Sequence, residues 1–235
     1  MREHHPSGRD AFRRQFSVSH NGDSLVFRDP ISELGTYVSL VSEIQDVPGQ
    51  VIRRKTALKK VLDIFGGPLV PLSPPEAIAS LKRVNALLMT EPGHGKDALG
   101  NPGGILELPD TVTPVLVGDL HARIDNLLTV LSENAILDGL ENGTAALVIL
   151  GDAVHPEEPG SLDEMDSSLL MMDLIFNLKT RFPDNVFYIV GNHDSFLHEI
   201  MKRGVPQGLL WDKHVMSARG EENKAEMELF YRQSP

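Results

Sequence analysis

The stretch Leu147–Gly160, LVILGDAVHPEEPG, decides how the rest of the chain is read. Four apolar residues run straight into Gly151 and Asp152, and a loop with His155, Glu157 and Glu158 follows. An apolar run of this length, bounded by a turn signal, reads as a strand buried on both faces. Two other passages repeat the pattern: TPVLVGDLHA carries Asp119 and His121, and NVFYIVGNHD carries Asn192, His193 and Asp194. AALVIL and NVFYIV are rich in β-branched and aromatic residues, as strands are, and ILELPD and TVTPVLV read as two shorter ones.

Between the three words the apolar residues recur at steps of three and four. Ile124, Leu127, Leu128, Leu131 and Ile136 mark one amphipathic helix, and Leu162, Met165, Leu169, Met172 and Phe176 mark another. Strand, helix, strand, helix, strand is the order of a parallel α/β sheet, whose ligands sit beyond the carboxyl ends of the strands. All three polar words fall at that edge. Glycine at 118, 151 and 191 suits tight turns and lets loops crowd together.

Upstream, KTALKKVLDIF (55–65) predicts a helix ending at Gly66-Gly67-Pro68, and SPPEAIASLKRVNALLMTEP predicts a second. In the second, Ser73 is the N-cap, Pro74 and Pro75 fill the first turn, and Ile78, Leu81, Val84, Leu87 and Leu88 form the apolar face. The glycine-rich GHGKDALGNPGG reads as a loop. Residues 1–50 show little pattern apart from HNGD between SVS and LVF, a hairpin signal. The expected division is an N-terminal extension over 1–72 and a catalytic-type domain over 73–235.

Composition narrows the classes. The 235 residues include 22 Lys or Arg against 33 Asp or Glu, a net charge of −11, which argues against nucleic acid or an anionic membrane as the main partner. The acids are concentrated late, since residues 1–60 hold ten basic and seven acidic side chains. A phosphate-handling site there needs cations of its own. With no cysteine there are no disulfides and no thiolate chemistry, which fits a reducing compartment. The N-terminus lacks an apolar signal region and no run spans a membrane, so a soluble, cytoplasmic protein is expected.

Asp119, His121, Asp152, Asn192 and His193 together offer a mixed oxygen and nitrogen ligand set suited to Mn, Fe or Zn. Two such ions roughly 3.5–4 Å apart would clamp a phosphoryl group and hold a hydroxide nucleophile.

The three words resemble the calcineurin-like metallophosphoesterases, whose pattern is GDxH, GDxx and GNH[DE]. ALLMTEP followed by GGILELPDTVTPVLVGDLHARIDNL is similar to the lead-in of the phosphoprotein (Ser/Thr) phosphatase branch, so the likeness covers about residues 74–194. It implies the first half of an α/β/β/α sandwich and two divalent ions, with Mn foremost and Fe or Zn as alternatives. It assigns Asp119 and His121 to one metal, Asp152 to the bridge and Asn192 to the other, with His193 as general acid. The substrate is then a phosphoprotein or a small phosphoester; a dinucleoside polyphosphate hydrolase and an inactive metal-binding module are the rivals.

Departures from the family pattern raise questions of their own. His155 stands where the branch has the Asp that orients the catalytic His, and Pro156 replaces its phosphate-gripping Arg. Arg123 is a candidate to supply that guanidinium, and Asp194 is a candidate support for His193. The family's later Gly-His words are absent: His198, in SFLHEIMKRG read as a helix, and His214 lie in other contexts. Either the chain continues beyond Pro235 or the metal site is incomplete. The loop from Asp152 to Asp166 holds six acids and no Lys or Arg. Ser161, Asp163 and Glu164 are expected to start the following helix, while Glu157 and Glu158 are candidates to overhang the metals.

Overall fold

The computed structural model describes residues 17–21, 24–28, 35–38, 47–100, 102–133, 135–158 and 160–235. They fall into two compact units, 1–54 and 55–235. In the first, β1 (Ser17–Asn21), β2 (Ser24–Arg28) and β3 (Gly35–Val38) form an antiparallel sheet. Asn21 pairs with Ser24, the register of the hairpin that HNGD predicts; its turn residues 22 and 23 lie outside the described residues. The third strand had no clear signal in the sequence.

Helix α1 (Val47–Phe65) begins well before the predicted Lys55, and Val61 and Phe65 enter the core. In α2 (Pro74–Leu88), Ser73 N–H donates to Glu76 Oε2 at 3.0 Å, the reciprocal half of a capping box. Its inward face is Ala77, Leu81, Val84 and Leu88, with Ile78 and Leu87 half-buried at its margins.

The glycine-rich stretch read as a loop instead contributes to a hairpin. β4 (His94–Lys96) pairs antiparallel with β5 (Pro102–Leu106), and Gly93 lets the backbone close in: a Cβ there would lie 1.9 Å from the Glu107 carbonyl oxygen. Behind it, Lys179 joins Glu91 and the Pro183 carbonyl, in a buried pairing that satisfies the charge.

β6 (Thr113–Val117), β7 (Ala145–Ile149) and β8 (Val186–Tyr188) form a parallel sheet in that order. β7 and β8 are buried throughout. β6 is not: Leu116, level with Val148 on the sheet, is 64% exposed. Side chains alternate across the sheet. Val117, Leu147, Ile149, Val186 and Tyr188 face the main core, while Ala146, Val148 and Phe187 meet Leu106, Leu108 and Val112 on the other side. Each large aliphatic side chain taken fully out of water there contributes roughly 1.5–3 kcal/mol.

The predicted helix through Ile136 is two helices, α3 (Ile124–Ser132) and α4 (Ile136–Glu141). Glu133 is extended and Ala135 is left-handed, at φ 53°, so the axis breaks between them. α5 (Asp166–Arg181) starts four residues after Leu162. Glu164 supports its first turn by accepting Ser167 N–H at 2.9 Å, whereas Ser161 turns back to the Glu158 carbonyl. α6 (Gln207–Arg219) and α7 (Glu221–Gln233) complete the unit. Arg219 grips Asp173 through two hydrogen bonds, and Asp173 also accepts Leu72 N–H at 2.8 Å, fixing α5 to α6 and to the entry of α2. No helix among the described residues is long and apolar enough to cross a membrane.

Candidate metal centre

The three polar words leave β6, β7 and β8 at their carboxyl ends, and the backbone knits the loops together. Asp152 C=O accepts both Leu120 N–H (3.1 Å) and His121 N–H (2.8 Å), and Ala153 C=O accepts Ala122 N–H (2.8 Å). The crossing is so close that two of the three glycines are obligatory. A Cβ on Gly151 would sit 2.1 Å from Gly191 N, and one on Gly191 would sit 2.2 Å from Asp152 Oδ1. Gly118 is different, with open space around its missing Cβ and no positive φ.

Four non-glycine residues here occupy the left-handed region: His121 (φ 41°), Ala122 (58°), Asp152 (47°) and His155 (68°). That conformation costs free energy for an L-residue and persists only where the surroundings over-determine it. The interlocking hydrogen bonds do so here.

Ligand-type atoms of Asp119, His121 and Asp152 all lie within 4.8 Å of one another. His121 Nδ1 lies 3.1 Å from the His155 carbonyl oxygen, which can only accept, so Nδ1 donates there and Nε2 is turned toward the group. Two carboxylates and an imidazole nitrogen so arranged fit a divalent transition metal, with the carbonyl on Nδ1 as the outer support such ligands use. Asp119 is exposed, His121 and Asp152 are buried, and Asn192 of the third word is exposed.

Asp194 is fully buried and ties two loops together. It accepts N–H from Asp152 (2.7 Å), Gly191 (2.8 Å) and Ala153 (3.1 Å), while Asp152 Oδ1 accepts His193 N–H at 2.8 Å. It therefore serves its own loop and its neighbour, through backbone. Burial pushes its carboxyl above the usual range, and the amide hydrogen bonds oppose that. Burial first, then the nearby Asp194 charge, raises the Tyr188 and Tyr231 phenols well above their usual value.

His155, also fully buried, donates from Nε2 to the His193 carbonyl oxygen at 2.9 Å, and its own N–H donates to Ser168 Oγ at 3.1 Å. It holds the His193 backbone, and the ring of His193 stands edge-on to those of His155 (6.1 Å) and His121 (5.8 Å). Burial lowers the His155 pKa to about 4 against the hydrogen bond to the His193 carbonyl, which raises it, so it is neutral near pH 7.

The acidic loop divides its charges. Glu157 Oε1 lies 2.7 Å from His121 Nε2 and also pairs with Lys202. The Lys202 ammonium holds the Glu157 carboxyl below its usual range against some burial. Glu158 accepts from Arg123 at 2.6 Å, and Asp125 takes the same guanidinium through two contacts of 3.1 Å. Arg123 is thus occupied by two carboxylates at the start of α3. His198 pairs with Asp212 and His214 with Asp166, both at 2.9 Å, so both are committed to carboxylates.

Lys202 had no place among the sequence-derived candidates. SFLHEIMKRG is not helical; Lys202 and Val205 bond reciprocally across Arg203 (φ 50°) and Gly204 (φ 83°), a two-residue hairpin turn. The signal was Arg-Gly with Pro206 close behind, which favours a turn over a helix.

Residues 113–227 match the family model described as calcineurin-like phosphoesterase. No curated protein matches the chain.

Proposed function

We propose, from the premise that residues 113–227 are a calcineurin-like phosphoesterase domain, that this chain is a phosphomonoesterase of the Ser/Thr protein phosphatase kind. Metal-dependent phosphoester hydrolysis follows from the family. The observation that carries the finer reading is the grouping of Asp119, His121 and Asp152 within 4.8 Å, with the His193 imidazole 5.8 Å from that of His121. Asp119, His121 and Asp152 would hold a divalent cation, with Asn192 extending the set toward a second; Mn is the first choice by donor type, then Fe or Zn. When bound, such ions neutralise phosphoryl charge and activate water.

The chain's own residues do the rest. Asp194 and the Gly151–Gly191 contact fix Asp152 and the His193 backbone in one rigid frame. His155 holds the His193 carbonyl, leaving the His193 ring to face the metal group and donate a proton to the leaving oxygen. Glu157 beside His121 and Glu158 on Arg123 keep the entrance acidic, which favours a single phosphoryl group over a polyphosphate chain. Comparing a phosphoserine peptide with a dinucleoside polyphosphate, both with added Mn2+, tests the substrate class. Higher kcat/KM for the phosphopeptide is expected; the reverse order assigns the site to anhydride hydrolysis.

A further inference from the structure

Lys202 Nζ and His121 Nε2 contact the same atom, Glu157 Oε1. We propose that the oxygen position shared by Lys202 and His121 is where an oxygen of the substrate phosphate binds, with Lys202 as the cation that grips it. This rests on the phosphoesterase reading and names the substrate-holding residue of that site.

Three observations carry it. The position already accommodates an anionic oxygen, since a carboxylate oxygen occupies it between an ammonium and a candidate metal ligand. Carboxylate and phosphate oxygens are alike in charge and in the charge-assisted hydrogen bonds they accept. Mobility is unequal: the Glu157 side chain is 47% exposed and can turn outward, whereas that of Lys202 is 19% exposed and rises from a closed hairpin turn. Finally, Arg123, a basic side chain paired with the same loop, is shared between Asp125 and Glu158. In this arrangement Glu157 is a built-in competitor of the substrate. It occupies the oxygen position until a phosphate displaces it, and its charge opposes ligands with several phosphates.

Substitutions of the two partners should therefore act in opposite directions, which loss of a purely structural ion pair would not produce. The experiment is calorimetric titration of inorganic phosphate into the full, Mn2+-loaded chain, with Mn2+ affinity measured separately. Lys202→Met should weaken phosphate binding roughly ten- to a hundredfold, the range for a hydrogen bond to a charged group. Lys202→Arg should recover most of it, Glu157→Gln should tighten it several-fold, and all three should bind Mn2+ like the wild type. Equal phosphate affinity in Lys202→Met, or changes of the same sign in Lys202→Met and Glu157→Gln, overturns the assignment. So does weaker Mn2+ binding in Glu157→Gln, which would make the carboxylate a metal ligand. If the wild type hydrolyses phosphate esters while Lys202→Met binds phosphate equally well, only the Lys202 assignment falls. If the wild type binds Mn2+ but neither binds phosphate nor hydrolyses its esters, the phosphoesterase reading falls with it.

Discussion

The Asp194 carboxylate accepts the backbone N–H of Asp152 at 2.7 Å, across two loops that leave different strands. Through this bond and two more, a residue next to the candidate general acid fixes the peptide of the candidate bridging ligand. Its contribution is geometric, and it is made without touching metal or substrate.

Asp194→Asn replaces one acceptor oxygen by an amide that can only donate, so at least one of three buried N–H groups loses its partner. A buried unsatisfied donor costs about 1–3 kcal/mol. Urea unfolding should show a loss of that order, and Mn2+ affinity should fall as the Asp152 loop loosens. Unchanged values for both would deny Asp194 this positioning role.

Gly151→Ala and Gly118→Ala form a controlled pair. The first puts a Cβ 2.1 Å from Gly191 N at φ 80°, and the second meets nothing within 4 Å. Gly151→Ala should destabilise by at least about 1–3 kcal/mol, the range for overpacking, and should impair metal binding. Gly118→Ala should behave nearly like the wild type in both assays.

His155 predicts a pH dependence of stability. Its pKa is about 4 in the folded chain and near 6.5 when unfolded, so between these values the unfolded state binds more protons. Stability from this group is present above about pH 6.5 and is lost as pH falls toward 4, by up to about 3 kcal/mol. The urea midpoint should decline across that window in the wild type, and His155→Gln should flatten the decline. An equal slope in both proteins would assign the effect to other groups.

Arg123→Ala tests whether that guanidinium serves the substrate. Because Asp125 and Glu158 already engage it, kcat/KM for a monoester is expected to change less than about twofold. A tenfold fall would mean that the side chain exchanges its carboxylates for phosphate.

Much of this was legible in the sequence because the relevant signals are local. Apolar runs ending in Gly-Asp or Gly-Asn-His located β6, β7 and β8 and placed five polar side chains at one sheet edge. What stayed hidden depends on distant partners. TVTPVLV has the apolar pattern of a buried strand, yet Leu116 is 64% exposed, which depends on what packs over that face and not on the strand's own residues. The helix through Ile136 breaks because Ala135 adopts a left-handed conformation that no residue pattern announces. Lys202 lies 45 residues from Glu157, and its approach to the site requires the 202–205 turn that helix-like spacing obscured.

The most direct measurement of the central claim is hydrolysis of p-nitrophenyl phosphate by the chelator-stripped protein before and after Mn2+ is restored, with Asp152→Asn and His193→Ala alongside. The site predicts no turnover without metal and recovery on Mn2+ addition in the wild type. Asp152→Asn should fail to recover because it binds metal poorly, and His193→Ala should bind Mn2+ normally yet turn over about 10²–10⁴-fold more slowly. Tight Mn2+ binding by the wild type with no hydrolysis, or hydrolysis that persists in full after chelation, would contradict it.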